Sequence, residues 1–213
     1  MLAMICLGAC VGAPPQATVG VVDIFATSAA YPWLAAAFDC GPPSTRLRVS
    51  TPDVAEITLR LGAPDGLALP AFQIGLDDLL VVVQPQAGVG TLSSDEAIAI
   101  FSGEITNWKD LGGSDLAVQV WTFSPTEDVQ LVFDRAVMHG RPVSSRARLA
   151  VTAQAMSDSV GAVSGSVGLL PRRWKTGNTR EALVVSSVPV LAIVRADPQG
   201  SVRQLIGCLQ SGH

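Results

Sequence analysis

Five consecutive aliphatic residues at positions 79–83 constrain the fold of this chain more than any other segment. They read Leu-Leu-Val-Val-Val, and the run ends before Pro85, which has no backbone N–H to donate. An uninterrupted apolar run of this length is typical of a strand buried on both faces of a parallel sheet. The fold must therefore cover this strand from two sides.

Strand and helix patterns alternate around this run. β-rich segments predict strands at 19–25, 47–50, 79–83, 116–122, 166–170 and 184–194. Helical spacing and capping signals predict helices at 29–38, 53–61 and 93–101, after residue 124 and after residue 197. This alternation predicts an α/β fold with mostly parallel sheets.

Two of the predicted helices begin at a capping box. Ser93 pairs with Glu96 in the first, and Ser124 pairs with Glu127 in the second, where Pro125 takes the first helical position. In such a box the serine hydroxyl and the glutamate carboxylate satisfy backbone N–H groups that the helix leaves free. We therefore expect the Glu127 side chain to fold back on its own helix.

Composition excludes several classes of protein. Of the 213 residues, 48% are hydrophobic and 15% are charged, and the formal net charge is −4. A disordered polyelectrolyte would be more charged, and a nucleic-acid-binding protein would carry a cluster of basic residues, so neither class fits. After the first ten residues, no apolar run reaches the roughly 18 uncharged residues that a membrane-spanning helix needs.

The first ten residues are uncharged and apolar, and they read as a targeting segment. Leu7-Gly8-Ala9-Cys10 resembles the bacterial lipobox, in which a peptidase cuts before a cysteine that then carries lipid. This predicts a lipoprotein signal at 1–9, lipidation at Cys10 and a linker at 10–18. A start codon assigned too late would explain why the signal is short and lacks basic residues. The alternative is a chance cysteine in an apolar terminus.

Export would leave two cysteines in the mature chain. Cys6 would leave with the signal and Cys10 would carry lipid, so Cys40 and Cys208 remain as an even pair. A disulfide between them would close a long loop and, on the chain-entropy model, stabilise the fold by about 5 kcal/mol. The alternative, two separate buried thiols, stays equally open at this point.

Residues 100–113 carry the most specific motif in the chain. They read IFSGEITNWKDLGG and resemble a signature of phosphate-type solute-binding proteins, the PstS-like branch of the type II periplasmic binding protein family. Further matches occur in the expected order. They lie at Thr27-Ser28, at Tyr31-Pro32-Trp33, at 78–83, at 166–171 and at 189–210.

This resemblance implies two α/β lobes joined by a two-strand hinge, with ligand held in the cleft between them. The crossings would lie near Gln84 and Lys175, so that lobe I comprises 19–83 plus 176–213 and lobe II comprises 84–175. Cys40 and Cys208 would then share lobe I. The family also implies an extracytoplasmic, monomeric protein without a cofactor that delivers a small solute, such as an oxyanion, to an ABC permease.

The resemblance also implies a set of ligand-binding residues. Thr27 and Ser28 resemble the family's ligand-binding hydroxyls, although an ordinary helix cap would explain them equally well. Asp65 lies near the position of a family acid, although an acid in an exposed turn is the simpler interpretation. The remaining candidates are Ser124, Thr126 and Ser166.

One position departs from the family pattern. Phosphate binders have Ser-Gly-Thr at the start of the second cleft helix, with an arginine nearby, whereas this chain has Glu127-Asp128-Val129 and no preceding arginine. Two carboxylates there would repel phosphate by about 1 kcal/mol or more per pair. We therefore expect phosphate to be a poor ligand, and Trp33 and Trp121 to be placed where they could line a pocket for a less charged solute.

The sequence predicts a binding protein rather than an enzyme or a metal site. Its two histidines, His139 and His213, adjoin no nucleophile motif, and the chain has no Gly-x-Ser-x-Gly, HExxH, CxxC or P-loop. Two hypotheses remain. The chain is a lipid-anchored solute-binding protein of an ABC uptake system, or it is a ligand-poor descendant that serves as an extracytoplasmic sensor or interaction module.

Overall fold

A computed structural model describes residues 20–212, and eight strands within them form one sheet. The predicted signal at 1–9, the linker at 10–18 and Cys10 lie outside the described residues. The strands are β1 (Gly20–Ala26), β2 (Thr45–Val49), β3 (Ile57–Leu61), β4 (Ala71–Val83), β5 (Gln119–Thr122), β6 (Arg148–Leu149), β7 (Ser166–Pro171) and β8 (Arg180–Val194). Their order across the sheet is β2-β1-β3-β8-β4-β7-β5-β6.

Five α-helices connect these strands. They are α1 (Trp33–Asp39), α2 (Ser94–Ser102), α3 (Asp128–Phe133), α4 (Ala153–Ala162) and α5 (Gly200–Ser211). A π-helical turn, Asp134–Met138, continues α3. The α/β fold class predicted from the sequence is confirmed.

The long strands β4 and β8 form the centre of the sheet. They pair antiparallel from Ala71 opposite Ile193 to Val83 opposite Arg180. At one end β8 also pairs with β3, and at the other end β4 also pairs with β7. We call β1, β2 and β3 the first half of the sheet and β5, β6 and β7 the second half, because the two sets lie on opposite sides of this central pair.

The run at 79–83 lies in the shared strand β4, and all five of its residues are fully buried. The prediction of a strand buried on both faces is therefore confirmed. The parallel pairing expected around it occurs only in the outer strands, among β2, β1 and β3 and among β7, β5 and β6. The three central pairings are antiparallel because the chain enters and leaves the second half through neighbouring strands.

Strand direction determines where a cleft can lie. Three successive antiparallel pairings separate β3 from β7, so the strands of the second half run opposite to those of the first. The carboxyl ends of β1 and β3 therefore point towards the carboxyl ends of β5 and β7, across the middle of β4 and β8. Loops that follow these strand ends meet there, which is the usual location of a ligand site in open α/β sheets.

The helix predicted at 53–61 is wrong, because residues 57–61 form strand β3 instead. Val54, Ile57 and Leu61 suggested one helical face, but Val54 is half exposed and the buried residues are Ile57, Leu59 and Leu61. A spacing of four residues fits both a helix turn and every second position of a strand. The intervening Leu59 decides the period, since it would lie away from that helical face.

The residues of the motif at 100–113 hold the second half together. Trp108 is fully buried and its Nε1–H donates a 2.8 Å hydrogen bond to the carbonyl oxygen of Gly165. The capping box predicted at Ser93 and Glu96 is present, and Gly103 ends α2 in the left-handed region. The residues of this motif therefore have structural roles, in the packing of the core and in the turns, and the motif is a signature of the fold.

The last helix, α5, is joined to α1 by a disulfide. Cys208 on α5 bonds to Cys40, the residue that ends α1, and their Cα atoms lie 5.6 Å apart. Of the two alternatives left open by the sequence, the structure has the disulfide. Because α5 also packs on β1 and β4, the bond fastens the end of the chain to the first half.

Removal of this disulfide should destabilise the protein strongly. We expect the double variant C40A/C208A to lose up to about 5 kcal/mol of unfolding free energy, because its unfolded chain regains the freedom of a 168-residue separation. The measurement is the urea midpoint of unfolding. Wild-type protein in reducing agent is the control and should match the variant, whereas equal midpoints for the variant and the oxidised wild type would contradict the prediction.

Candidate functional site

The candidate site is the cleft between the two halves of the sheet, where the carboxyl ends of their strands face each other. Its walls are the turn after β1, the turn after β3 and the starts of α3 and α4, and its floor is the middle of β4 and β8. The sequence predicted ligand-binding hydroxyls on the first wall. In the structure those hydroxyls contact residues of the opposite half.

Asp128, the first residue of α3, crosses the cleft. Its side chain is buried, and the residue is only 2% exposed. Oδ2 accepts a 2.6 Å hydrogen bond from the Thr27 hydroxyl and a 2.9 Å bond from the Leu61 N–H, while Oδ1 accepts a 2.9 Å bond from the Val129 N–H. Thr27 and Leu61 end strands of the first half, so one carboxylate from the second half joins both of them.

Ser28 makes a second connection across the cleft. Its Oγ accepts a 2.6 Å hydrogen bond from the N–H of Ala153, the first residue of α4. Thr152, the N-cap of that helix, accepts a 3.0 Å hydrogen bond from the N–H of Ala155. Ser28 therefore caps a helix of the opposite half rather than α1, whose N-cap is Pro32 and which has no side-chain cap within residues 20–212.

Further contacts flank these two hydrogen bonds. The indole N–H of Trp174 donates to the carbonyl oxygen of Ala29 at 3.0 Å. Arg135 donates to the carbonyl oxygen of Ala63 at 3.1 Å and pairs with Asp65 at 3.5 Å, on the exposed side of the cleft. The halves thus touch through their own side chains along the length of the cleft.

The capping box predicted at Ser124 and Glu127 does not form. The Ser124 hydroxyl lies 3.2 Å from that of Thr126, and Glu127 is itself the residue before the helix, with no side-chain cap among the described residues. The helix begins at Asp128, later than predicted, and Asp128 rather than Glu127 accepts a hydrogen bond from the first turn. Burial raises the pKa of Glu127, and the neighbouring charge of Asp128 raises it further.

Two arginines bring positive charge to the same side of the cleft. Arg60 on β3 is half-buried, and this burial lowers the pKa of its guanidinium, while Asp128 opposes that shift. Arg135 also lies within electrostatic reach of Arg60. The sequence motif lacked an arginine before α3. Arg60 comes from β3, so no local signal could have indicated it, whereas Arg135 lies in the turn that continues α3, after the position where the motif was compared.

The floor of the cleft holds a second buried acid, Asp77 on β4. Its Oδ2 has no hydrogen-bond partner among residues 20–212, and the nearest cation is Arg173 Nε at 4.0 Å. Arg173 stacks over the Trp33 ring at 4.2 Å, and Trp33 packs on Gly75, where a Cβ atom would overlap the ring. Burial raises the pKa of Asp77, and the charge of Arg173 opposes the rise.

The structure brings together only some of the predicted ligand residues. Thr27 and Ser28 line the cleft and already bond to the opposite half, while Ser124 and Thr126 pair with each other. Asp65 lies in an exposed turn at the cleft mouth. Ligand contact by any of these side chains remains a prediction.

Ser166 lies away from the cleft. It is fully buried at the amino end of β7, the end opposite to the one that faces the first half, and it accepts a 3.2 Å hydrogen bond from the Trp121 indole. The guanidinium of Arg148 lies over the Trp121 ring, 5.6 Å from the ring centre. Contact between Ser166 and a solute in the cleft would therefore require a rearrangement.

Residues 20–212 contain neither a metal-binding cluster nor a membrane-spanning helix. None of their His, Cys, Asp and Glu side chains forms a group of three or more suited to a metal ion. None of the helices they form is both long enough and apolar enough to cross a membrane.

Comparison with known proteins identifies relatives of this chain. The model of the PBP superfamily domain matches residues 65–202. The phosphate-binding protein PstS of Bacillus subtilis is 26% identical over 124 residues, which cover 58% of this chain and 41% of that protein. The chain thus spans about two fifths of the length of this curated relative.

Solved structures share the fold. A Clostridium perfringens protein assigned as a phosphate ABC transporter substrate-binding protein, with bound phosphate, superposes with a TM-score of 0.80 at 17% identity, covering 89% of this chain and 93% of that one. An ABC-type phosphate transport receptor from Vibrio cholerae gives 0.67 at 20% identity, covering 90% and 94%. The CcmR regulatory domain of Synechocystis in complex with 2-PG gives 0.62 at 11% identity, covering 90% and 96%.

The burial of Asp77 generates a prediction about pH. Because its pKa is raised in the folded state, the folded protein holds this proton more tightly than the unfolded chain, whose aspartates titrate near about 3.9. Wild-type stability should therefore fall as pH rises through the window between those two pKa values. D77N should lose this part of the fall and be more stable than wild type at pH 7.

The measurement is urea unfolding between pH 4 and pH 8. D78N is the matched control, since Asp78 is the next residue and pairs with Arg172 at 3.0 Å. We expect D78N to be no more stable than wild type at pH 7. A D77N variant that is less stable than wild type at pH 7 would show that the buried carboxylate is well compensated.

Proposed function

The chain belongs to the PBP superfamily, and on that premise we propose that it is an extracytoplasmic solute-binding protein of an ABC-type uptake system. Its two lobes would close on a small solute and present it to the permease. Lipid on Cys10 would hold it at the membrane face, and residues 10–18 would serve as the linker. The proposed role is binding alone, and no chemical step is assigned to any residue.

One observation carries this proposal. The carboxyl ends of β1 and β3 oppose those of β5 and β7 across a shared pair of strands, so the loops of both halves converge on one cleft. An open α/β sheet places its ligands at such strand ends. The central pair β4 and β8 is also the only backbone path between the halves within the described residues, as hinge bending in a binding protein requires.

The charges of the cleft support a solute that is less anionic than phosphate. The relatives from B. subtilis, C. perfringens and V. cholerae are named for phosphate. In this chain Asp128 crosses the cleft and Asp77 lies buried at its floor. A phosphate placed between these acids would experience like-charge repulsion, so we expect an uncharged or amine-bearing solute.

A second candidate function rests on the same wall of the cleft. The hydroxyls of Thr27 and Ser28 are already bonded to Asp128 and Ala153, so the family's ligand donors have partners within the chain. This favours a ligand-poor module that acts as an extracytoplasmic sensor or interaction domain. The two candidates differ in one measurable property, which is stabilisation by a solute.

A thermal-denaturation screen distinguishes the two functions. The protein is heated with phosphate, sulfate, molybdate, and uncharged and amine-bearing organic solutes. A true solute at 100 times its dissociation constant should add about 2.7 kcal/mol to the unfolding free energy, and phosphate should add none.

D158N is the control variant, since Asp158 lies exposed on α4 and bonds only to Gln154 among the described residues. Its melting temperature should rise with the same solute as that of the wild type. If every solute leaves the wild-type melting curve unchanged, the uptake role is wrong and the interaction module replaces it.

A further inference from the structure

We infer that Asp128 is a built-in anion, which occupies the anion position of the cleft, keeps phosphate-like solutes out of it and fastens the two halves to each other. The claim that Asp128 excludes phosphate-like solutes rests on the proposed function. The fastening does not, because it is a property of the hydrogen bonds themselves.

The donors around Asp128 are those of an oxyanion site. A hydroxyl from Thr27, a backbone N–H from Leu61 and a backbone N–H from Val129 converge on one carboxylate at 2.6–2.9 Å. Two of these donors lie 101 and 67 residues away in the chain, at the ends of two different strands. Hydroxyl and backbone N–H donors form charge-assisted hydrogen bonds to carboxylate oxygens and to phosphate oxygens, so these donors are suited to either.

Because Asp128 and its backbone donors are buried, loss of either partner leaves the other without that hydrogen bond. At 2% exposure Asp128 is shielded from water, and a buried carboxylate destabilises the fold unless its oxygens are hydrogen-bonded, as those of Asp128 are. The same condition holds for the Leu61 N–H, whose partner is this carboxylate. Deletion of the carboxylate therefore leaves donors that require another acceptor, and a soluble oxyanion can supply one.

The charges near Arg60 also disfavour a bound anion. Around Arg60, three carboxylates of Asp65, Glu127 and Asp128 accompany one further guanidinium, that of Arg135. Three acids against two arginines leave one excess negative charge. Replacement of Asp128 by a neutral residue makes the count two against two, which removes the excess that repels an anion.

The test replaces Asp128 by serine and uses inorganic phosphate as the probe. We expect D128S to melt below wild type without phosphate and to rise by several degrees in 10 mM phosphate, while wild type does not respond. D158S is the matched control, because it makes the same change of charge and side chain on an exposed surface, and phosphate should not stabilise it.

A second variant separates occupancy from charge. D128N removes the charge but still fills the position with a side chain that can accept a hydrogen bond. We expect phosphate to stabilise D128N much less than D128S. If both respond equally, charge alone excludes phosphate and the occupancy part of the inference is overturned.

Amide hydrogen exchange at Leu61 tests the fastening without any solute. Exchange should be at least tenfold faster in D128S than in D158S, and 10 mM phosphate should slow it again. If D128S does not fold, T27V and D128N carry this test, each with an expected acceleration of at least threefold over D158S. Unchanged exchange at Leu61 in these variants overturns the fastening.

The outcomes separate this inference from the proposed function. Stabilisation of wild type by phosphate, equal to that of D128S, would overturn the built-in anion and leave the uptake role intact. A wild-type solute screen without any response would remove the uptake role and leave the D128S result unaffected, since phosphate probes the variant directly.

Discussion

The antiparallel pairing of β4 with β8 is the constraint on which the rest of the structure depends. Because both strands are long, each half of the sheet adds its own strands to a different end of the same pair. That pairing reverses the direction of the second half relative to the first, and the reversal is what turns the strand ends of both halves towards one cleft. The aliphatic run at 79–83 anchors the pair, since its side chains are fully buried where β4 lies between β7 and β8.

Local signals in the sequence predicted the elements whose cause is local. The capping box at Ser93 and Glu96 and the glycine at 103 specify α2 within a few residues, and the structure has that helix. The segment at 57–61 was misread because Ile57 and Leu61 satisfy both a helical and a strand period, and only pairing with β8 over Val190 to Val194 selects the strand. Pairing with a distant strand selects the secondary structure of such a segment, and the residue pattern of the segment itself carries no information about that pairing.

The candidate site was predictable in part. Resemblance to a family pointed to Thr27 and Ser28, and the departure at Asp128 was visible as an acid in an unexpected place. Its partner, the backbone N–H of Leu61, carries no side-chain signature and lies 67 residues away, so no pattern could have indicated it. The same holds for the floor of the cleft, where Asp77 and Trp33 approach Arg173 only after β4 and the segment following β7 have come together.

The register of the central strands places the two ends of the segment that contains the second half next to each other. Val83 and Arg180 are direct partners in the β4 and β8 ladder, so everything between them leaves and returns at neighbouring positions, about 4.8 Å apart. The disulfide fastens the carboxyl-terminal helix to the first half, which leaves the intervening segment without any other covalent tie within the described residues. Residues 84–179 therefore form a segment inserted between the adjoining ends of β4 and β8. Because its two ends adjoin, replacement of this segment by another of matching end spacing would not require a change in the strand order β2-β1-β3-β8-β4.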